Sequence, residues 1–302
     1  MNLDKLSPLL GLLALMLLSQ LTLAVSLQEQ TVAMDDGHRL MLYSKSAPQP
    51  WGSILLVHGR TWSALPDFDL VTEAEDLSMM NALAAKGLAV YAIDLRGYGK
   101  SERDSSGWNT PTRAAKDLAT TLDFIHNKHP DLGATTLFGW SNGSLVAMLT
   151  AQLYPNKVER LVLYGFPLDT IAAGKTPTQP PRLATTAAAA AEDFILPGTI
   201  SKSAVEAYVK AALMADPIRT DWRALEQWNQ LDATKLTRPT LLLQAESDPY
   251  MNLNADAELF KKIAAKDKQW LILGNADHAA LLETSRFKLY HAVVSFMQYR
   301  DN

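Results

Sequence analysis

Thr135–Tyr154 reads TTLFGWSNGSLVAMLTAQLY, and this stretch decides the fold. TTLFGW is a nearly continuous apolar run, the length of a strand covered on both faces. SLVAMLTAQLY has helix length and ends before Pro155, which disfavours further helix. Gly139-Trp140-Ser141-Asn142-Gly143 lies between them, a G-x-S-x-G pattern where strand would turn into helix. Such an elbow holds its serine in a strained conformation, and its flanking glycines avoid collisions with neighbouring backbone. Ser141 is the expected nucleophile; a Gly-rich turn with an inert serine is the plainer alternative.

Working outward, similar apolar runs occur at Ser53–His58, Ala89–Asp94, Val158–Tyr164, Thr240–Gln244 and Gln269–Leu273. Gln30–Met34 and Leu40–Ser44 flank an Asp-Gly turn and read as a hairpin. Helix-length amphipathic stretches, Ser78–Lys86, Thr112–Lys128, Ser144–Tyr154 and Ala279–Tyr299, alternate with them. This pattern predicts an α/β fold, a doubly wound, mostly parallel sheet with helices on both faces. Residues 167–238 break the alternation: a Pro- and Thr-rich loop is followed by helical pieces with no convincing strand. They are expected to form a helical cap over the C-terminal edge of the sheet, where open α/β sheets place their sites. The core is then 27–166 with 239–302.

A serine needs a base. Of His38, His58, His126, His129, His278 and His291, only His278 follows the last strand on a loop that would hang over the Ser141 edge. Asp248, in LLLQAESDPYM after the penultimate strand, is the expected acid, giving the chain order Ser…Asp…His. Glu246 and Asp277 are alternatives. His58-Gly59-Arg60-Thr61 follows a strand, so the backbone amides of Arg60 and Asn142 are the expected oxyanion donors, with His58 bracing the loop. Trp140, Trp62, Phe194 and Trp222 are expected to touch substrate; Tyr208 and Trp228 are further aromatics of the insertion.

LLVHGRTW, AIDLRGYGKS, GWSNGS, LQAESDPYM and NADH, in this order, resemble the α/β-hydrolase superfamily from about residue 30 to the C-terminus. The resemblance implies that fold and a Ser-His-acid mechanism. Epoxide hydrolases and dehalogenases resemble this layout but carry Asp at the nucleophile position. HGRTW lacks both the H-G-G-G run of one lipase and esterase group and the H-G-G-P of the prolyl aminopeptidase group, although GWSNGS resembles the latter's elbow. Hydrolysis of a carboxylic ester through an acyl-enzyme is the resulting expectation. Lactonase, thioesterase, C–C-bond hydrolase and aminopeptidase activities are open to the same triad, as is a non-catalytic binding role.

The chain has 302 residues, 48% hydrophobic and 20% charged, with a formal net charge of −4. This gives no basic footprint for nucleic acid and no attraction for anionic substrates, so a neutral small-molecule ester is expected. No phosphate-binding loop or metal-ligand spacing is present, and no cofactor is expected. With 0 Cys, disulfides and thiolate chemistry are excluded. Residues 1–26 read as a signal peptide: Lys5, the apolar run Leu9–Leu18, then Ala24-Val25-Ser26. Export to a bacterial periplasm or medium, with no stable membrane insertion after cleavage, is expected; an uncleaved anchor is the alternative.

Overall fold

The structure, a computed structural model, describes residues 25–168 and 177–299. The expected signal segment, apart from Val25 and Ser26, lies outside the described residues. Among these, no helix is long and apolar enough to cross a membrane.

Strands β1 (Gln28–Ala33) and β2 (Arg39–Ser46) flank the Asp-Gly turn. The chain continues through β3 (Gly52–Val57), α1 (Ala64–Phe68), α2 (Met79–Ala85), β4 (Leu88–Ile93), β5 (Trp108–Asn109) and α3 (Pro111–Lys128). Next come β6 (Thr135–Trp140), α4 (Asn142–Leu153), β7 (Val158–Tyr164), α5 (Ala187–Ala191), α6 (Lys202–Ala215) and β8 (Asp221–Trp222). β9 (Thr240–Ala245), α7 (Leu253–Lys262), β10 (Lys268–Leu273) and α8 (Arg286–Gln298) follow. The main sheet has eight strands in the order β1-β2-β4-β3-β6-β7-β9-β10. Pairing is parallel except for β1 with β2 and β2 with β4. This is the α/β-hydrolase fold.

The unbroken apolar runs are explained by burial on both faces. In β3, Ile54 and Leu56 join one core cluster, and Leu55 and Val57 join the other. The first cluster packs under α1, α2 and α8, the second under α3 and α4. β10 departs from this pattern: Leu271 and Ile272 are 38% and 40% exposed. It ends the sheet, so its apolar residues are covered less completely. Helix α8 starts later than the sequence suggests, because residues 279–286 form a chain of tight turns (Ala280 N to Asp277 O, Leu282 N to Ala279 O, Arg286 N to Glu283 O). Among the described residues of 167–238 one short strand does occur, β8, paired with β5; two residues carry no periodicity to read.

Three carboxylates fasten this insertion to the sheet domain. Tyr208 Oη donates to Asp67 at 2.9 Å. The amides of Ser63 and Gly99 donate to Asp216, each at 2.8 Å. The amides of Ile195 and Leu196 donate to Asp277 at 2.8 and 2.7 Å.

The turn Asp94–Ser101 is built around Arg96. Its guanidinium meets Asp117 through Nε (2.6 Å) and Nη2 (2.9 Å), and it also reaches Asp36 and Asp104. Both side chains of the Arg96–Asp117 pair are 1% exposed. Removing one partner of such a pair strands the other in low dielectric. Arg96→Ala is therefore expected to cost about 3–5 kcal/mol, read as a lowered urea midpoint with an unchanged slope. A loss within about 0.5 kcal/mol, the ordinary surface range, would contradict this account.

Candidate active site

Ser141 stands between β6 and α4 at φ 54°, ψ −123°. This is an uncommon region for a side-chain-bearing residue, and it costs on the order of 1–3 kcal/mol. Neighbours impose it. The Ser141 amide donates to Tyr164 O at 2.9 Å, and the Ser144 amide donates to Ser141 O at 2.8 Å. A Cβ on Gly139 would lie 2.3 Å from Gly143 O, and one on Gly143 would lie 2.3 Å from Val57 O. Backbone against backbone cannot yield, so both positions must be glycine for the elbow to close under β3.

Asp248 and His278 come from the loops after β9 and β10. His278 Nδ1 lies 2.7 Å from Asp248 Oδ2, both side chains being buried. The other Asp248 oxygen accepts the Tyr250 amide at 2.9 Å. The His278 carbonyl accepts from Trp140 Nε1 at 2.9 Å and from Tyr164 Oη at 3.1 Å. Tyr250 stands edge-on to the imidazole, with centroids 4.9 Å apart. Burial alone would push the His278 pKa down. The hydrogen bond and charge of Asp248, with Asp193 and Asp277 adding, hold it above its usual 6.5. Glu246 instead accepts the Asn275 amide, and Asp277 is taken up by Ile195, Leu196 and Ala279. The imidazole is therefore paired with Asp248.

Ser141 and His278 are walls of one cavity of about 220 Å³, which Arg60, Trp62, Trp140 and Asn142 also line. No hydrogen bond joins the Ser141 hydroxyl to His278 among the described residues; such bonds are often long before substrate binds. The amides of Arg60 and Asn142 have no acceptor among the described residues. His58 accepts the Leu95 amide through Nε2 at 3.1 Å, so its Nδ1–H faces Gly59 O at 2.9 Å. Burial lowers its pKa to about 4. It is a neutral brace for the loop.

Two expected substrate contacts lie elsewhere. Phe194 packs edge-on against Tyr208. Trp222 donates to Tyr98 Oη at 2.8 Å, and Tyr98 in turn donates to Arg60 O. Trp222 thus supports the Arg60 loop from behind because its indole N–H finds a buried partner there. Trp228 and Tyr250 line the cavity in their place.

The sequence reading missed Asp67, Glu192, Asp193 and Arg219, which also line the cavity, and Gly165. At φ +56°, a Cβ on Gly165 would sit 2.9 Å from the imidazole of His278. Its signal was a lone glycine directly after a strand.

A family model described as "Serine aminopeptidase, S33" matches residues 48–285. A haloalkane dehalogenase from Mycobacterium marinum is 32% identical over 157 residues, 48% of this chain and 44% of that protein. The serine hydrolase BPHL from Mus musculus is 30% identical over 115 residues, 37% of this chain and 35% of that protein. The chain thus spans less than half the length of these relatives. A solved structure of a hydrolase from Pseudomonas aeruginosa superposes with TM-score 0.67 at 20% identity, over 90% of this chain and 99% of that one. With a model match over most of its length, the chain belongs to the serine aminopeptidase S33 family, hydrolases of the α/β-hydrolase fold.

Proposed function

We propose that this hydrolase cleaves a carboxylic ester through an acyl-enzyme intermediate. One observation carries the reading: a serine held at φ 54° shares a cavity with a buried histidine bonded to Asp248. In this reading His278 Nε2 takes the proton of Ser141 Oγ as the oxygen attacks the ester carbonyl. Asp248 fixes the tautomer and stabilises the imidazolium. The amides of Arg60 and Asn142 receive the oxyanion. His278 returns the proton to the leaving alcohol, and water then repeats the sequence on the acyl-enzyme. Residues 167–238 act as a cap that closes the cavity through Ala189, Glu192, Asp193, Arg219 and Trp228.

The name of the mycobacterial relative suggests halide displacement. Ser141 argues against that chemistry: attack on an alkyl halide would leave an ether, which water at an acyl carbon could not release. A series of p-nitrophenyl esters from acetate to palmitate tests the proposal, together with a fluorophosphonate label mapped to its residue. Turnover of short esters with the label on Ser141 is expected. An unlabelled Ser141, or no ester cleaved, would overturn it.

The base must be neutral to work, and its pKa is raised, so protonation persists to higher pH than usual. kcat/KM should therefore climb through an apparent pKa above 6.5. Asp193→Asn removes one of the raising charges and should move that limb toward acid. A limb below 6.5 in the parent would contradict this.

A further inference from the structure

Arg60 and Arg219 both face the cavity beside Ser141, one from the loop after β3 and one from the insertion. Among the described residues neither guanidinium makes a hydrogen bond or ion pair, and Arg60 Nε is buried without a partner. The two fully buried arginines differ: Arg96 is held by Asp36, Asp104 and Asp117, and Arg160 by Asp267 and the Tyr299 carbonyl. Arg103, Arg238 and Arg286 also keep one buried nitrogen unpaired, but each has another hydrogen bond to the protein. Burial works against the charge on Arg60; Tyr98 favours it, and the charge of Arg219 opposes it again. Arg60 is half-buried and Arg219 reaches solvent, so a carboxylate entering the cavity would give both guanidiniums the partner they lack without first having to break an ion pair.

The carboxylates of the cavity do not fill that role. Asp67 is engaged by Tyr208 and, at 3.4 Å, by the Gly59 amide, and burial pushes its pKa well up. Burial also raises the pKa of Asp193, the charge of His278 lowers it, and those of Glu192, Asp248 and Asp277 raise it; among the described residues no ion pair joins it to either arginine. Among the described lining residues, Arg60 and Arg219 are therefore cationic groups without a carboxylate partner.

Building on the ester-hydrolase reading above, we propose that the substrate is an ester bearing a free carboxylate, bound by the guanidiniums of Arg60 and Arg219. Guanidinium forks match a carboxylate in shape and charge. This departs from the neutral ester that the overall charge suggested, because a net charge of −4 is a sum over the surface and the substrate meets the local field.

Two matched pairs test the proposal: the p-nitrophenyl half-ester of glutarate against p-nitrophenyl valerate, and 4-acetoxybenzoate against phenyl acetate. The carboxylate should raise kcat/KM by about tenfold to a hundredfold in at least one pair. Arg219→Gln should collapse that preference and Arg219→Lys should keep part of it. Independently of turnover, glutarate should bind the Ser141→Ala protein in calorimetry and fail to bind once Arg219→Gln is added. The idea falls if the uncharged member is preferred in both pairs, if a cationic ester outruns both, or if glutarate does not bind. Cleavage of neutral esters without that preference would remove this inference alone. Glutarate binding without cleavage of any ester would remove the ester-hydrolase reading alone.

Discussion

Ser141→Ala should lower kcat for ester hydrolysis by a factor on the order of 10⁴ to 10⁶ while leaving the protein folded. The size follows from the site. Without the hydroxyl, His278 has no nucleophile to activate, and only the oxyanion donors and substrate binding remain to help water. The substitution should not cost stability, because the hydroxyl makes no hydrogen bond among the described residues and the elbow rests on backbone contacts. Alanine meets the same positive φ as serine. Measured kcat beside a melting curve would decide it: near-parental turnover in a purified, folded variant would end the reading of Ser141 as nucleophile.

Asp248→Asn carries the second large effect, a loss of about 10⁴ in kcat near neutral pH. The carboxylate accepts Nδ1–H at 2.7 Å, which leaves Nε2 with the lone pair that a base needs. An amide nitrogen at the same place would donate to Nδ1 and put the ring proton on Nε2, where a base needs its lone pair. Losing the carboxylate also removes the main charges that raise the His278 pKa, so the residual activity should have its acid limb at lower pH. A variant with more than about a tenth of parental kcat would point to another acid; the nearby carboxylate of Asp193 would then be the first to replace.

What the sequence made legible was set by local geometry. The elbow could be read because strand, turn and helix are contiguous, and its two glycines are demanded by backbone contacts within that unit and with β3. Asp248 and His278 could be read because each follows a strand whose parallel pairing brings its end to the same edge. The rest depends on tertiary placement. Asp193 and Arg219 lie in ordinary-looking polar segments of the insertion, and nothing in Glu192-Asp193 or Arg219 tells a solvated face from a cavity wall. The aromatics of the insertion show the same limit. Trp222 and Trp228 have the same chemistry, and their rings lie 6.1 Å apart, yet one supports the loop of Arg60 and the other lines the cavity. Aromatic content marks a packed region without saying which side of a wall a ring occupies.

The fastening of the insertion by Asp67, Asp216 and Asp277 has a consequence for exchanging modules between relatives. Each of these acids belongs to one piece, and the groups it grips belong to the other: Tyr208 for Asp67, Ser63 and Gly99 for Asp216, Ile195 and Leu196 for Asp277. A chimera that swaps residues 167–238 would leave Asp67 with only the Gly59 amide and Asp277 with only the Ala279 amide of the bonds described above, unless the incoming piece brings its own hydroxyl and amides to them. Asp277 adjoins His278, so a poor graft would disturb the base as well as the junction. The insertion is then not freely portable by itself; the recipient has to be rebuilt at positions 63, 67, 99 and 277 along with it.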